Sequence, residues 1–162
     1  MIQIAYFTHS GNTRVVADKI ASRTGGELFR IETVSPYPEG YQQVVEVARK
    51  ELREGRRPRL RSTHLVGGCE TLFLGFPNWW ATMPMPVFSF LEGSNFDGVA
   101  IAPFCTHEGS GMGRSVQDIR RVCPGATVSE GLAIRGSQVG RSDALLDRWI
   151  ESIGIPISRS LR

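Results

Sequence analysis

The sequence predicts an α/β protein in which five parallel strands form one sheet with helices on both faces. Two observations carry that expectation. Short apolar runs rich in Ile, Val and Phe alternate with segments of helical periodicity, and three polar or aromatic loops each follow directly on one of those runs. Open α/β sheets bind ligands outside the carboxyl ends of their strands, so the three loops mark a candidate site as well as a topology. With 162 residues, 41% hydrophobic and 22% charged, the chain can build one sizeable core. It reads as a single domain over 1–162, with 154–162 as a loosely packed C-terminal extension.

The elements follow in order along the chain. Ile2 to Phe7 is the first apolar run and reads as a strand. Asn12 to Arg23 has a helical pattern with Val15, Val16, Ala17 and Ile20 as its apolar stripe, stopped by Gly25-Gly26. Glu27 to Glu32 is a second strand, and Ser35-Pro36-Tyr37-Pro38 a turn. Tyr41, Val45, Ala48 and Leu52 share a face at helical spacing, which predicts a helix over Gly40 to Glu54. Thr71 to Phe76 is the third strand, and a helix runs from about Pro84 to Leu91 after a proline cluster. Val99 to Cys105 is the fourth strand. Met112, Val116, Ile119 and Cys123 predict a helix ended by Pro124-Gly125. Thr127 to Ile134 is the fifth strand, with Glu130-Gly131 as a point of interruption, and Leu146, Trp149, Ile150 and Ile153 mark the closing helix.

The first loop, Thr8-His9-Ser10-Gly11-Asn12-Thr13, has the composition of a phosphate cradle at a strand-to-helix turn. Hydroxyls of Thr8, Ser10 and Thr13 can donate to phosphate oxygens, Gly11 permits close backbone approach, and the N–H groups of the helix start face an anion. There is no lysine of a Gly-Lys-Ser/Thr phosphate loop and no G-x-G-x-x-G turn, so a terminal monophosphate suits it better than a magnesium-bound polyphosphate. Capping of the helix is the plainer role for the same residues. The second loop, Pro77-Asn78-Trp79-Trp80-Ala81, places two tryptophans side by side, and both cannot easily bury in one core. The third, Thr106-His107-Glu108-Gly109-Ser110-Gly111, offers hydroxyls, backbone N–H groups and an imidazole. His9 and His107 could serve near a reducible ring or simply be exposed loop residues. His64 stands in a linker.

The formal net charge is +3 and the pI near 9.0. Basic residues concentrate at Arg49, Lys50, Arg53, Arg56, Arg57, Arg59 and Arg61, with no interleaved aromatics, which argues against nucleic-acid binding. Three cysteines, Cys69, Cys105 and Cys123, are widely spaced, and with three histidines they make neither a disulfide framework nor a metal site. Cys69 and Cys123 read as buried packing residues. No segment approaches 18 consecutive apolar residues and the N-terminal run is strand-like, so membrane insertion is not expected and a cytoplasmic protein is.

Over about residues 1 to 153 the chain resembles the flavodoxin-like proteins of the short-chain type. The residues that carry the resemblance are T-H-S-G-N-T at 8–13, Pro36-Tyr37-Pro38, the G-F-P-N-W-W-A-T-M-P-M-P loop of 75–86 running into Phe88 to Glu92, and Pro103-Phe104-Cys105-Thr106 followed by Gly109-Ser110-Gly111. The resemblance implies a three-layer fold with strand order 2-1-3-4-5 and FMN as cofactor. It implies the phosphate in the first loop, an indole of Trp79 or Trp80 on the ring beside Pro77, Asn78 and Ala81, and Thr106, His107, Glu108, Gly109 and Ser110 at the ring's pyrimidine edge or the ribityl chain. Cys105 would lie near the flavin. No residue is assigned a catalytic role.

Three functions then stand open: electron transfer with a redox partner protein, an FMN-dependent NAD(P)H oxidoreductase reducing a quinone or similar acceptor, and a cofactor-less interaction module. Two departures bear on the choice. Glycine commonly follows the paired tryptophans in the family, where a peptide flips on reduction, and this chain has Ala81. Flavodoxins that carry electrons are usually acidic, and this chain is basic, with an Arg-rich stretch that is a solvated surface or an attractor for an acidic protein or the 2′-phosphate of NADPH.

Overall fold

A computed structural model describes residues 1–62 and 68–158 of the chain, so His64 and the final residues 159–162 lie outside it. The elements alternate as β1 (Ile2–Tyr6), α1 (Asn12–Thr24), β2 (Glu27–Arg30), α2 (Tyr41–Glu54), β3 (Thr71–Pro77), α3 (Met85–Glu92), β4 (Ala100–His107), α4 (Ser115–Val122), β5 (Thr127–Val128), β6 (Leu132–Arg135) and α5 (Asp143–Ser152), with a 3-10 helix at Gly136–Arg141 before the last. The named strands of the described residues all pair in parallel and the order is β2-β1-β3-β4-β5, as the resemblance implies, with β6 also paired to β4.

The fifth strand is in two pieces, and β4 supplies the reason. The carbonyls of Val99 and Ile101 accept from the N–H groups of Thr127 and Ser129 at 2.9 and 3.0 Å, so alternate residues of β4 turn their backbone polar groups to this edge. The next residue in that alternation is Pro103, which has no N–H to donate. The ladder breaks there and resumes at Phe104↔Leu132, with one extra residue taken up between the two segments. The freed carbonyl of Glu130 accepts from the Trp149 indole N–H at 3.2 Å.

Two apolar layers cover the sheet. On one face Leu72, Leu74 and Phe76 meet Val87, Phe90 and Leu91 of α3 and Ile119 of α4, and on the other Ile4, Tyr6, Phe73 and Phe104 meet Val16 and Ile20 of α1 and Leu146, Trp149 and Ile150 of α5. Val15 is exposed and takes no part in the α1 stripe. In α2 the buried positions are Val44, Ala48 and Glu51, whereas Tyr41 is exposed and Val45 and Leu52 are half-buried. The apolar face read from the sequence is therefore turned by about one residue. Glu51 can face inward because the Tyr37 hydroxyl donates to it at 2.5 Å. Ile155 and Ile157 pack on the α1–α5 layer, and the Ser158 N–H donates to the Arg23 carbonyl, so the described part of the C-terminal extension is seated on the domain. Cys123 is buried as expected, and Cys69 only half so.

One ionic cluster ties α1 to α5. The buried Arg23 guanidinium donates to Asp143 at 2.8 Å and to Asp147 at 2.7 Å, and Lys19 reaches Asp143 at 2.8 Å. Lys19 first, then Arg23, hold the Asp143 carboxyl below its ordinary range. A depressed carboxylate stabilises the fold above its unfolded pKa and stops doing so as the pH falls through the folded one. Asp143→Asn is thus expected to lower the urea midpoint at pH 7, and the gap from wild type should close as the pH drops below the carboxylate range. A gap that stays constant with pH would assign the loss to packing instead.

Candidate functional site

A cavity of about 580 Å³ opens at the carboxyl edge of the sheet. His9, Ser10 and Asn12 of the first loop line it, with Pro77, Asn78, Trp79, Trp80 and Ala81 of the second and Thr106, His107, Glu108 and Ser110 of the third. Tyr41, Val44, Val45 and Ala48 of α2 complete the wall. Thr8, Gly11, Thr13 and Gly109 belong to the same loops without lining the cavity. Thr106 and His107 are strand rather than loop, because the Asn78 N–H donates to the Thr106 carbonyl at 2.8 Å and carries the ladder on.

The first loop is shaped from within. The Gly11 N–H donates to the Thr8 hydroxyl oxygen at 3.1 Å, and the Thr13 hydroxyl, buried, shares a 2.8 Å hydrogen bond with that of Thr106. Gly11 caps α1 at φ 99°, a conformation that costs a residue with a Cβ, and no side chain caps the helix. Ser10 and Asn12 are consequently not spent on capping, and the first N–H groups of α1 remain outside the intrahelical ladder. An anion at the cavity's Ser10–Asn12 end would meet these groups.

The second loop is a two-residue hairpin. Trp79 and Thr82 exchange backbone hydrogen bonds at 3.0 and 3.3 Å, and the residues between them, Trp80 and Ala81, stand at φ 57° and 69°. That is type I′ geometry, which ordinarily selects Asn-Gly. Its neighbours hold it. The Ala81 N–H donates to Asn78 Oδ1 at 2.9 Å, the Asn78 Nδ2 donates to the Gly111 carbonyl at 2.7 Å, and the Ala81 carbonyl accepts from the Arg114 N–H at 2.8 Å. The last contact is possible because Gly113 has no Cβ, which would stand 2.3 Å from that carbonyl oxygen.

The tryptophans part company here. Trp79 is partly buried, edge-to-face with Phe7, Tyr37 and His9 at centroid distances of 5.3, 5.2 and 6.1 Å. Trp80 is 43% exposed, donates from Nε1 to the Val45 carbonyl at 3.0 Å, and lies under the Arg49 guanidinium at 5.5 Å. The platform behind Trp79 includes a polar pair that sequence reading missed: burial raises both the Glu51 carboxyl and the Tyr37 phenol above their ordinary pKa values.

In the third loop the Gly109 N–H donates to His107 Nδ1 at 2.8 Å, which places the proton of the neutral ring on Nε2. His9 is likewise committed, Nε2 donating to the Pro38 carbonyl at 2.8 Å. Arg135, the register partner of His107, donates to the Glu108 carbonyl at 3.1 Å. Cys105 lies inside β4 and does not line the cavity, and burial pushes its thiol up to about 12. Among the described residues no His, Cys, Asp and Glu group could hold a metal ion, and no helix is long and apolar enough to cross a membrane.

A parallel five-position sheet in the order 2-1-3-4-5, with a hydroxyl-rich loop after the first strand and indoles after the third, defines the flavodoxin-like class of redox fold. The chain belongs to the flavodoxin family, whose model matches residues 1–153. Among solved structures it is similar to a candidate flavoprotein of Bacteroides eggerthii (25% identity over 95% of this chain and 98% of that one, TM-score 0.77). It is also similar to a flavoprotein of Lactobacillus acidophilus determined in complex with FMN (20%, 91% and 97%, TM-score 0.70). An NADH:FMN oxidoreductase shares the fold at 14% identity over 99% of this chain and 93% of that one, with a TM-score of 0.62. No curated protein matches the sequence.

The left-handed alanine generates a prediction. Each Cβ-bearing residue in that region costs on the order of 1 kcal/mol, so Ala81→Gly should stabilise the apoprotein by about that amount in urea unfolding. An unchanged midpoint would mean that the hydrogen bonds around Ala81, and not its Cβ, set the energy of the turn.

Proposed function

We propose that the protein binds FMN in this cavity and works as a cytoplasmic redox protein, passing electrons between a donor and an acceptor. One observation carries the reading: the uncapped, lysine-free start of α1 and the paired-indole hairpin open onto a single cavity. Bound FMN would supply a ring that takes up and releases electrons. Ser10, Asn12 and the first N–H groups of α1 are suited to its phosphate, with Thr8, Gly11 and Thr13 shaping the loop and His9 fixed against Pro38. Pro77, Asn78 and Ala81 hold the hairpin that presents Trp79 and Trp80 to the ring. Glu108 and Ser110 offer backbone N–H groups and a hydroxyl, while Gly109 spends its own N–H on His107 Nδ1 and so leaves His107 with an Nε2 donor.

The alternative of an FMN-dependent NAD(P)H oxidoreductase, reducing a quinone or similar acceptor, draws support from a different feature. The cavity continues past the three loops onto α2, and α2 carries Arg49, Lys50 and Arg53, none in an ion pair with another described residue. Such a face suits an acidic partner protein or a nucleotide phosphate. Both sides of Ala81 are already hydrogen-bonded, so a peptide flip at this position must break a bond to Asn78 or Arg114. Anaerobic addition of NADPH to the holoprotein separates the readings: bleaching of the flavin without a reductase identifies the enzyme, and an unchanged spectrum the carrier.

The first loop divides into two experiments. Ser10→Ala should weaken FMN binding by about 1 kcal/mol and leave riboflavin, which has no phosphate, unchanged. Thr13→Ala breaks the tie to Thr106 and should weaken both flavins. Fluorescence titration of the apoproteins reads both, and equal losses for the two ligands in Ser10→Ala would remove the phosphate from the first loop.

A further inference from the structure

We infer that Glu51 is a proton-binding site coupled to the cavity: it takes up one proton from solvent when an electron enters the ring bound there, and releases it when the electron leaves. The inference rests on the redox reading for the electron, which a hydride or one-electron donor supplies. The carboxyl's own situation stands on the fold. Among the described residues Arg23 and Glu51 are the buried charged side chains. Arg23 is neutralised by Asp143 and Asp147, whereas Glu51 forms no ion pair with a described residue. Its Oε1 accepts from the Tyr37 hydroxyl at 2.5 Å. The charges that act on it from the end of α2 are Arg56, which is exposed and paired with Glu54 at 3.2 Å, and Glu54 itself. A carboxylate buried without a counter-ion is costly, so the protonated form lies close in free energy.

Tyr37 ties this carboxyl to the cavity. Its ring stands edge-to-face with Phe7 at 5.8 Å and with Trp79 at 5.2 Å, and Trp79 lines the cavity. Glu51 is therefore one ring behind the wall, on the order of 12 Å from a ring stacked on Trp79 at ordinary aromatic spacings. Through an interior of effective dielectric about 20, one negative charge added at that range raises the proton affinity of a carboxylate about tenfold. Such a push is decisive only for a group already near balance. Burial favours the protonated form of Glu51 and the Tyr37 hydroxyl favours the ionised one, so the two effects oppose each other. The proton comes from water and rests on a carboxylate oxygen. Tyr37 keeps its own proton and goes on donating to the acid's carbonyl oxygen.

Two measurements test the coupling. In the apoprotein, the wild-type minus Glu51→Gln infrared difference should show a carboxyl C=O band that titrates above the exposed glutamates. In the FMN-loaded protein, the midpoint potential should fall more steeply with pH over a window about one pH unit wide, the tenfold change in proton affinity read as a shift. Glu51→Gln, which keeps a hydrogen-bonding oxygen for Tyr37, should straighten the curve there. Tyr37→Phe removes a bond that favours the ionised form and should move the window to higher pH. His9, His107 and Glu108 also face the cavity, and the comparison with Glu51→Gln subtracts what they contribute to both curves. Wild type alone should gain a protonated-carboxyl band in the reduced-minus-oxidised infrared spectrum, a readout that survives any failure of the variants to fold. Potential curves that coincide in wild type and Glu51→Gln, no gain of that band on reduction, or a Glu51 band that titrates with the exposed glutamates, would overturn the inference and leave FMN binding standing. A protein that takes up no FMN, read by absorbance, would remove the redox reading and this inference with it.

Discussion

Seven register pairs join β3 to β4, from Thr71↔Ala100 to Pro77↔Thr106, and every feature of the cavity depends on that ladder. It ends both strands at the same height, so the hairpin after β3 and the loop after β4 stand side by side. The ladder then passes its order outward. Asn78 continues it by donating to the Thr106 carbonyl, and the Thr106 hydroxyl reaches Thr13, 93 residues away, in the first turn of α1. Three loops far apart in the chain are thereby fixed relative to one another before any ligand arrives, and preorganisation of this kind removes part of the cost of binding.

The same bonds make the hairpin stiff. Trp80 and Ala81 are both held in the left-handed region, and Asn78, Arg114 and Gly113 enforce that conformation from three sides. Strain of this sort persists only where neighbours over-determine it. Here it is spent on aiming the two indoles differently: Trp79 back into Phe7 and Tyr37, Trp80 out over α2. Glycine at position 81 would relieve the strain and give the backbone more ways to respond to a change in the ligand's charge.

Much of this was legible in the sequence. The order of elements, the three loops, the exposure of one tryptophan and the weak point at Glu130-Gly131 all follow from periodicity, turn residues and the crowding of adjacent indoles. What stayed hidden depends on partners distant in the chain. The inward turn of Glu51 requires Tyr37, so a helix read alone favours the Tyr41–Val45 stripe and misplaces two residues that belong to the cavity. Thr8 and Thr13 look equivalent to Ser10 in the sequence, and only the bonds to Gly11 and Thr106 set them apart. The break in the fifth strand has its cause in Pro103, on another strand, which no reading of residues 127–134 could supply.

That break has a consequence for the company the molecule keeps. Sheets grow by adding strands to exposed edges, and a long, regular edge invites a second chain to pair. At one edge of this sheet stands β2, four residues long and carrying Glu27 and Arg30. At the other, β5 and β6 offer two and four residues, put out of step with each other by the residue inserted opposite Pro103. One edge is short and charged and the other is broken, so neither presents the long, regular template on which a second chain's strand would pair.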